Sequence, residues 1–337
     1  MDKEMEDLSN ELFETEMLDR NLTYYSYPDE DVPSYRDLPL TISYFVLSAM
    51  GLVGNALVIF IFLRYAKMRT VSNIYIFNLA VADALLMFAF LFLATQEAAQ
   101  TWPFGIAWCK LILAIEFITP LVSIDFVMVM GIDRCMVLYR PLISSKWRKP
   151  KVASLLSAAV WTVFLLPAIL VVLNGSLIEN SHVCAIYWSN QYQDFFFNVC
   201  QITLGFLQPL EVIVLCLLMI AVKAQPPGHP VHATKYRGSD RTRMVTTLFV
   251  VHTVCWLPLF VVKTFSSLTD AALVLGHGFF MYAIPFLTVM SVAKSSINPV
   301  LYWYLSEDFR QSFQMAMFCM RNNLARHEVE NNQGESA

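Results

Sequence analysis

The stretch LPLTISYFVLSAMGLVGNALVIFIFLR, residues 38–64, carries no charged side chain before Arg64. A helix rises ~1.5 Å per residue, so a run this long outspans the ~30 Å hydrocarbon core of a bilayer. It also lacks the charged face that a helix on a water-soluble domain presents to solvent. The stretch therefore reads as a membrane-spanning helix. The residues before it, 1–37, are polar and acidic and hold no apolar signal-peptide core, so the run is expected to serve as its own insertion signal.

Six further apolar runs follow, at roughly 72–97, 106–139, 152–173, 195–223, 242–267 and 275–304. The whole chain of 337 residues is 57% hydrophobic and 15% charged. Water-soluble domains carry about 25% charged residues, so most side chains here must face lipid or one another. The expected fold is an all-α membrane protein, a seven-transmembrane helix bundle. No internal repeat or separate soluble domain is evident.

Charge sets the orientation. Arg64, Lys67 and Arg69 lie between the first two runs; Arg134, Arg140, Lys146, Arg148, Lys149 and Lys151 flank the end of the third; Lys223, Lys235, Arg237, Arg241 and Arg243 lie between the fifth and sixth. Basic loops stay cytoplasmic, which places the N-terminus outside the cell at the plasma membrane. Two glycosylation sequons, at Asn21 and Asn174, fall on the outer side. The organisation expected is an acidic extracellular tail over 1–37, the bundle over 38–304, a short amphipathic helix on the inner leaflet over 305–320, and a polar tail over 321–337. In the short helix Phe309, Phe313, Met317 and Phe318 recur at helical spacing beside Arg310 and Arg321. Cys319 at its end is a candidate for palmitoylation, against the alternative of a free thiol.

Polar residues inside membrane helices are costly, so each needs a reason. In chain order they include Gly54-Asn55, then Asn78-Leu79-Ala80-Val81-Ala82-Asp83, then Trp102-Pro103-Phe104-Gly105 ahead of Cys109. Asp133-Arg134-Cys135, Trp161, Pro209, Cys255-Trp256-Leu257-Pro258 and Asn298-Pro299-Val300-Leu301-Tyr302 complete the series. One such signature per helix, in order over roughly residues 38–320, resembles the rhodopsin-like (class A) G-protein-coupled receptors. The stretch from Thr70 to Gly105 resembles the somatostatin, opioid and neuropeptide B/W receptor group.

The resemblance implies a disulfide between Cys109 and Cys184, two of the seven cysteines. It also implies a ligand site in the outer half of the bundle. Glu116, seven residues past Cys109, stands where that group carries an Asp that pairs with a basic residue of a peptide ligand. Two readings stay open for it: counter-ion for a ligand cation, or internal partner of Lys263. Trp256 and Phe260 would floor and wall the pocket. Residues 1–35 hold eleven carboxylates against Lys3 and Arg20, a formal charge of −9. Such a tail attracts cations, which suits a basic peptide.

In the inner half, Asp133-Arg134 matches the family's activation lock, in which the Arg is held at rest and released toward a heterotrimeric G protein. Asp83, Ser123, Trp256 and Asn298 match residues that hold a sodium ion in relatives. Lys294, however, stands where relatives commonly carry Asn. Counting ~1.5 Å per residue, Asp83 and Lys294 lie at about the same depth, ~16 and ~15 Å from the inner ends of their helices. The expectation is that the Lys294 ammonium replaces the sodium ion and pairs with Asp83. Tyr302 completes the switch set. Cys135, His252 and Leu217 replace a Tyr, a Phe and a Tyr of the family, and Leu91 replaces a helix 2 proline.

The function expected is a cell-surface receptor for a basic, neuropeptide-like peptide, signalling through inhibitory G proteins, with arrestin as a further partner. The alternative is an atypical or scavenger receptor that binds peptide with little G-protein activation, for which the altered switch residues speak. A transporter or channel would need internal repeats or paired broken helices. No nucleophile–base pair or metal cluster marks an enzyme, and no cofactor, metal or nucleic-acid site is expected.

Overall fold

A computed structural model describes residues 38–177, 183–186, 188, 191–224, 237–268 and 277–316. The acidic tail with Asn21, and Cys319, lie outside the described residues. Among the described residues, seven helices are long and apolar enough to cross a membrane. In chain order the helices are α1 (Leu38–Arg64), α2 (Val71–Ala99), α3 (Gly105–Tyr139), a short α4 (Pro141–Trp147) and α5 (Pro150–Asn174). The sixth rod, α6, joins Gln191–Ile202, a π turn over Thr203–Leu207, and Gln208–Ala224. Then come α7 (Arg237–Leu268), α8 (His277–Leu305) and α9, residues 307–316.

The seven apolar runs thus become seven helices, with ends within a few residues of those expected apart from the fifth and sixth, which start four or five residues early. Two elements were not foreseen. Residues 141–147, read as loop, form a helical turn that Pro141 starts well, since a proline lacks only an N–H that the first turn leaves unpaired anyway. Between α5 and α6, β1 (Gly175–Leu177) pairs antiparallel with β2 (Cys184–Ile186), in the register Gly175 to Ile186 and Leu177 to Cys184.

Local chemistry explains the boundaries. Thr70 caps α2 by accepting from the Asn73 N–H at 3.4 Å. Gln100 ends it in the left-handed region, φ 55°. Gly105, φ 75°, then turns the chain into α3, and the Trp102 indole N–H donates to its carbonyl at 2.9 Å.

α3 is the central strut, touching α2, α5, α6 and α7. Packing without a water-driven force relies on close approach and on buried hydrogen bonds. A Cβ at Gly54 of α1 would stand 2.9 Å from Pro299 Cγ of α8. Nearby, the Asn55 amide donates to the carbonyls of Gly51 and Ser295 at 2.9 and 3.0 Å. The Trp161 indole of α5 donates to Asn78 Oδ1 of α2 at 3.1 Å. α2 runs unbroken past Leu91, as expected where the proline is missing. Tyr302 of α8 meets Phe309 edge-on at 6.4 Å, seating α9 under the bundle.

Candidate functional site

The outer half is roofed by the hairpin. Cys109 and Cys184 form a disulfide, tying β2 to the start of α3. Cys184 is held a second time, its backbone N–H donating to the buried Gln96 Oε1 of α2 at 2.8 Å. Under this roof Glu116 is partly exposed on α3. Among the described residues it makes no hydrogen bond or ion pair. Lys263, on α7, acts on the carboxylate electrostatically but does not bond to it. Beneath lie Trp256 and Phe260, ring centroids 5.5 Å apart and both buried. Phe117 of α3 stacks on Phe197 of α6 at 4.9 Å, and Trp188 lies tilted against Phe197 at 4.8 Å. This half of the bundle thus carries several aromatic rings and one carboxylate that makes no hydrogen bond among the described residues. Asn174 sits at the end of α5 beside the hairpin, its amide donating to Leu170 O at 2.7 Å.

The middle layer is a closed polar cluster around Asp83, which is fully buried. Lys294 Nζ donates to Asp83 Oδ1 at 2.9 Å, and the hydroxyls of Ser123 and Ser295 donate to the same oxygen at 3.2 and 2.8 Å. Asn298 Nδ2 donates to Oδ2 at 2.6 Å. Lys294 is 1% exposed, so this is an ion pair fully withdrawn from solvent. Burial of either charge alone would be far costlier than burial of the pair. Ser295 was not singled out in the sequence; its neighbourhood to Lys294 was the available signal. Trp256, grouped with this cluster beforehand, makes no bond to Asp83; its ring stacks on buried His252 at 6.2 Å.

The third layer, toward the end of α3, holds a charged group. Asp133 and Arg134 form an ion pair, and Arg134 Nη2 also donates to Ser72 Oγ at 2.6 Å. Arg148, after α4, donates through Nε to Asp133 Oδ1 at 2.8 Å. Arg148 and Ser72 carry no spacing signal that would mark them as partners of Asp133 and Arg134, being a loop cation and a helix-start serine. Tyr302 is buried, and its hydroxyl reaches no partner among the described residues. Asp125 of α3 and Glu211 of α6 are further charges within apolar runs, and Asp125 Oδ1 is buried with no hydrogen-bond partner among the described residues.

Seven membrane-length helices, a disulfide tying the hairpin to α3 and an ion pair near the far end of α3 are the features the sequence signatures led one to expect. The family model "7 transmembrane receptor (rhodopsin family)" matches residues 54–302. The chain belongs to the rhodopsin family of seven-transmembrane receptors. Its rhodopsin-family relatives include the somatostatin receptor type 5 of Bos taurus, 40% identical over 295 residues, 86% of this chain and 78% of the relative. The type 2 receptor of Mus musculus is 39% identical over 283 residues, 82% and 76% of the two chains. The type 4 receptor of Rattus norvegicus is 34% identical over 289 residues, 82% and 72%. This rhodopsin-family receptor is a multi-pass membrane protein.

Proposed function

We propose that the receptor binds a basic peptide at Glu116 from outside the cell and passes the signal to heterotrimeric G proteins of the inhibitory class. The observation that carries this reading is the Glu116 carboxylate of α3, partly exposed, which makes no hydrogen bond or ion pair among the described residues and on which Lys263 acts without bonding. A carboxylate so placed gains most from a cation that arrives with apolar neighbours. The somatostatin receptors it resembles are named for a peptide, which supports that ligand class here. The N-terminal tail, with its formal charge of −9, lies outside the cell and raises the local concentration of basic peptides.

Signalling is a population shift. Agonist must favour the state in which Arg134 has left Asp133, by as much as its affinities for the two states differ. Resemblance to conventional peptide receptors favours this over scavenging, and arrestin would follow the same opened inner face. At the centre, Lys294 takes the place of the sodium ion beside Asp83. Lys263 guides the ligand's own carboxylates, Asn21 and Asn174 carry glycans, and Cys319 carries a palmitoyl chain. The experiment is a screen of basic peptides by nucleotide exchange on inhibitory G protein, using wild type and Glu116→Gln. Loss of response with Glu116→Gln is expected; equal potency on both removes the assignment.

A further inference from the structure

Cys135, the residue that departs from the family's lock, does not stand alone. Its Sγ donates toward the Cys216 carbonyl oxygen at 3.7 Å and lies 3.8 Å from Met219 Sδ, with the Cys216 side chain within hydrogen-bonding reach. Cys216 and Met219 are three residues apart on α6, hence on one face of it. Both cysteines are buried and unoxidised. One turn further in, the Tyr139 hydroxyl donates to the Met219 carbonyl, so α3 and α6 are already fastened around this spot. Cys135 is four residues from the end of α3, about 6 Å from its inner mouth.

Three sulfurs from two helices thus converge near the inner surface. Metal–sulfur bonds of ~2.3 Å arranged trigonally put neighbouring sulfurs about 4 Å apart, close to the Cys135–Met219 separation. Two thiolates and a thioether are soft ligands, which select ions such as Cu(I) over Mg²⁺ or Ca²⁺. The compartment agrees: the basic loops put this end in the cytosol, where thiols stay reduced and available. Charge agrees as well. Cu(I) with two thiolates carries −1, and the adjoining group of Arg134, Arg148 and Asp133 carries +1 from two guanidiniums and one carboxylate.

We propose that Cys135, Cys216 and Met219 form a binding site for a soft, thiophilic cation of the Cu(I) class at the inner ends of α3 and α6. Each thiol releases one proton to solvent as its sulfur bonds the ion, the Met219 thioether gives a lone pair, and no oxidation state changes. The bonds clamp α3 to α6 in the state where Arg134 is held by Asp133. Occupation therefore lowers nucleotide exchange. This last consequence rests on the G-protein reading; the binding does not.

The test uses the full-length receptor in lipid nanodiscs under reducing conditions. Cu(I) affinity is read by competition with bicinchoninate, and Ag(I), which undergoes no redox step here, is counted by native mass spectrometry. Wild type should bind one ion. Cys135→Ser and Cys216→Ser should each weaken binding at least tenfold, and Met219→Leu severalfold, while Cys200→Ser and Cys255→Ser leave it unchanged. Metal-free melting temperatures within a few degrees of wild type certify that the variants fold. Undiminished affinity in Cys135→Ser or Cys216→Ser overturns the site, as does a Cys135–Cys216 disulfide in freshly isolated, alkylated membranes. Agonist-free nucleotide exchange should fall severalfold with Ag(I) in wild type and stay constant in Cys135→Ser. Unchanged exchange in metal-loaded wild type overturns the clamp, and agonist-driven exchange by metal-free receptor reports separately on G-protein coupling.

Discussion

Replacing Lys294 by Met removes one half of the buried ion pair while keeping most of the side-chain volume. The Nζ–Oδ1 distance is 2.9 Å. At an effective dielectric of 20, two unit charges at that distance attract by about 6 kcal/mol. Desolvation of both ions offsets much of this, so the pair itself contributes little net stability. Removing one partner is different, because it leaves Asp83 buried and charged, at a cost of ~3–5 kcal/mol. With ~2 °C per kcal/mol for a chain of this size, the melting temperature should fall by roughly 6–10 °C. The assay is thermal unfolding of purified receptor in NaCl and in choline chloride. Wild type should melt alike in both salts. Lys294→Asn, which shortens the side chain and leaves Ser123, Ser295 and Asn298 donating to Asp83, should recover several degrees in sodium alone. The double variant Asp83→Asn/Lys294→Met should lose at least ~2 kcal/mol less than the two single losses added. Additive losses, or a wild-type agonist affinity that responds strongly to sodium, would refute the reasoning.

Other outcomes follow from the same geometry. Glu116→Gln should weaken a basic peptide agonist 10- to 100-fold, about 1.4–2.8 kcal/mol, in radioligand displacement. Cys109→Ser releases a loop of sequence separation 75, which chain-entropy arguments value at about 4 kcal/mol, and surface ligand binding should be largely lost. Gly54→Ala sets a methyl 2.9 Å from the rigid Pro299 ring, so α1 must shift from α8; the melting temperature should drop by several degrees, whereas Gly105→Ala is strained by its φ of 75° alone. Asp133→Asn removes the charge that holds both Arg134 and Arg148, and agonist-free nucleotide exchange should rise severalfold.

The helices were legible because lipid leaves the chain few choices: each apolar run of sufficient length has to close its hydrogen bonds internally. The Asp83–Lys294 contact was legible for a related reason, since depth along a straight helix follows from residue count. Contacts made by loops obey no such count. Arg148 reaches Asp133 only because α4 folds back under α3, and Gln96 finds the Cys184 N–H only because the hairpin is bent over α2. Short segments of mixed composition carry no period from which either could be read. The convergence of Cys135 on Cys216 lay hidden for a further reason: it depends on the rotation of α6, and the π turn alters that rotation midway.

That turn has a geometric consequence for both ends of the molecule. α3 meets α6 near the outside through Phe117 and Phe197, and near the inside through Cys135 and Cys216. Along α3 the two contacts are 18 residues apart, five full turns at about 100° per residue, so both point the same way. Along α6 they are 19 apart, which in an unbroken helix would leave them about 100° out of line. The extra residue taken up at Thr203–Leu207 cancels that error. It works as a phase shifter between two rods of unequal count. Deleting one residue there would keep the half of α6 with Cys216 in place and turn the other half, with Phe197, away from Phe117. The two ends of this receptor are thus kept in step by a single surplus residue.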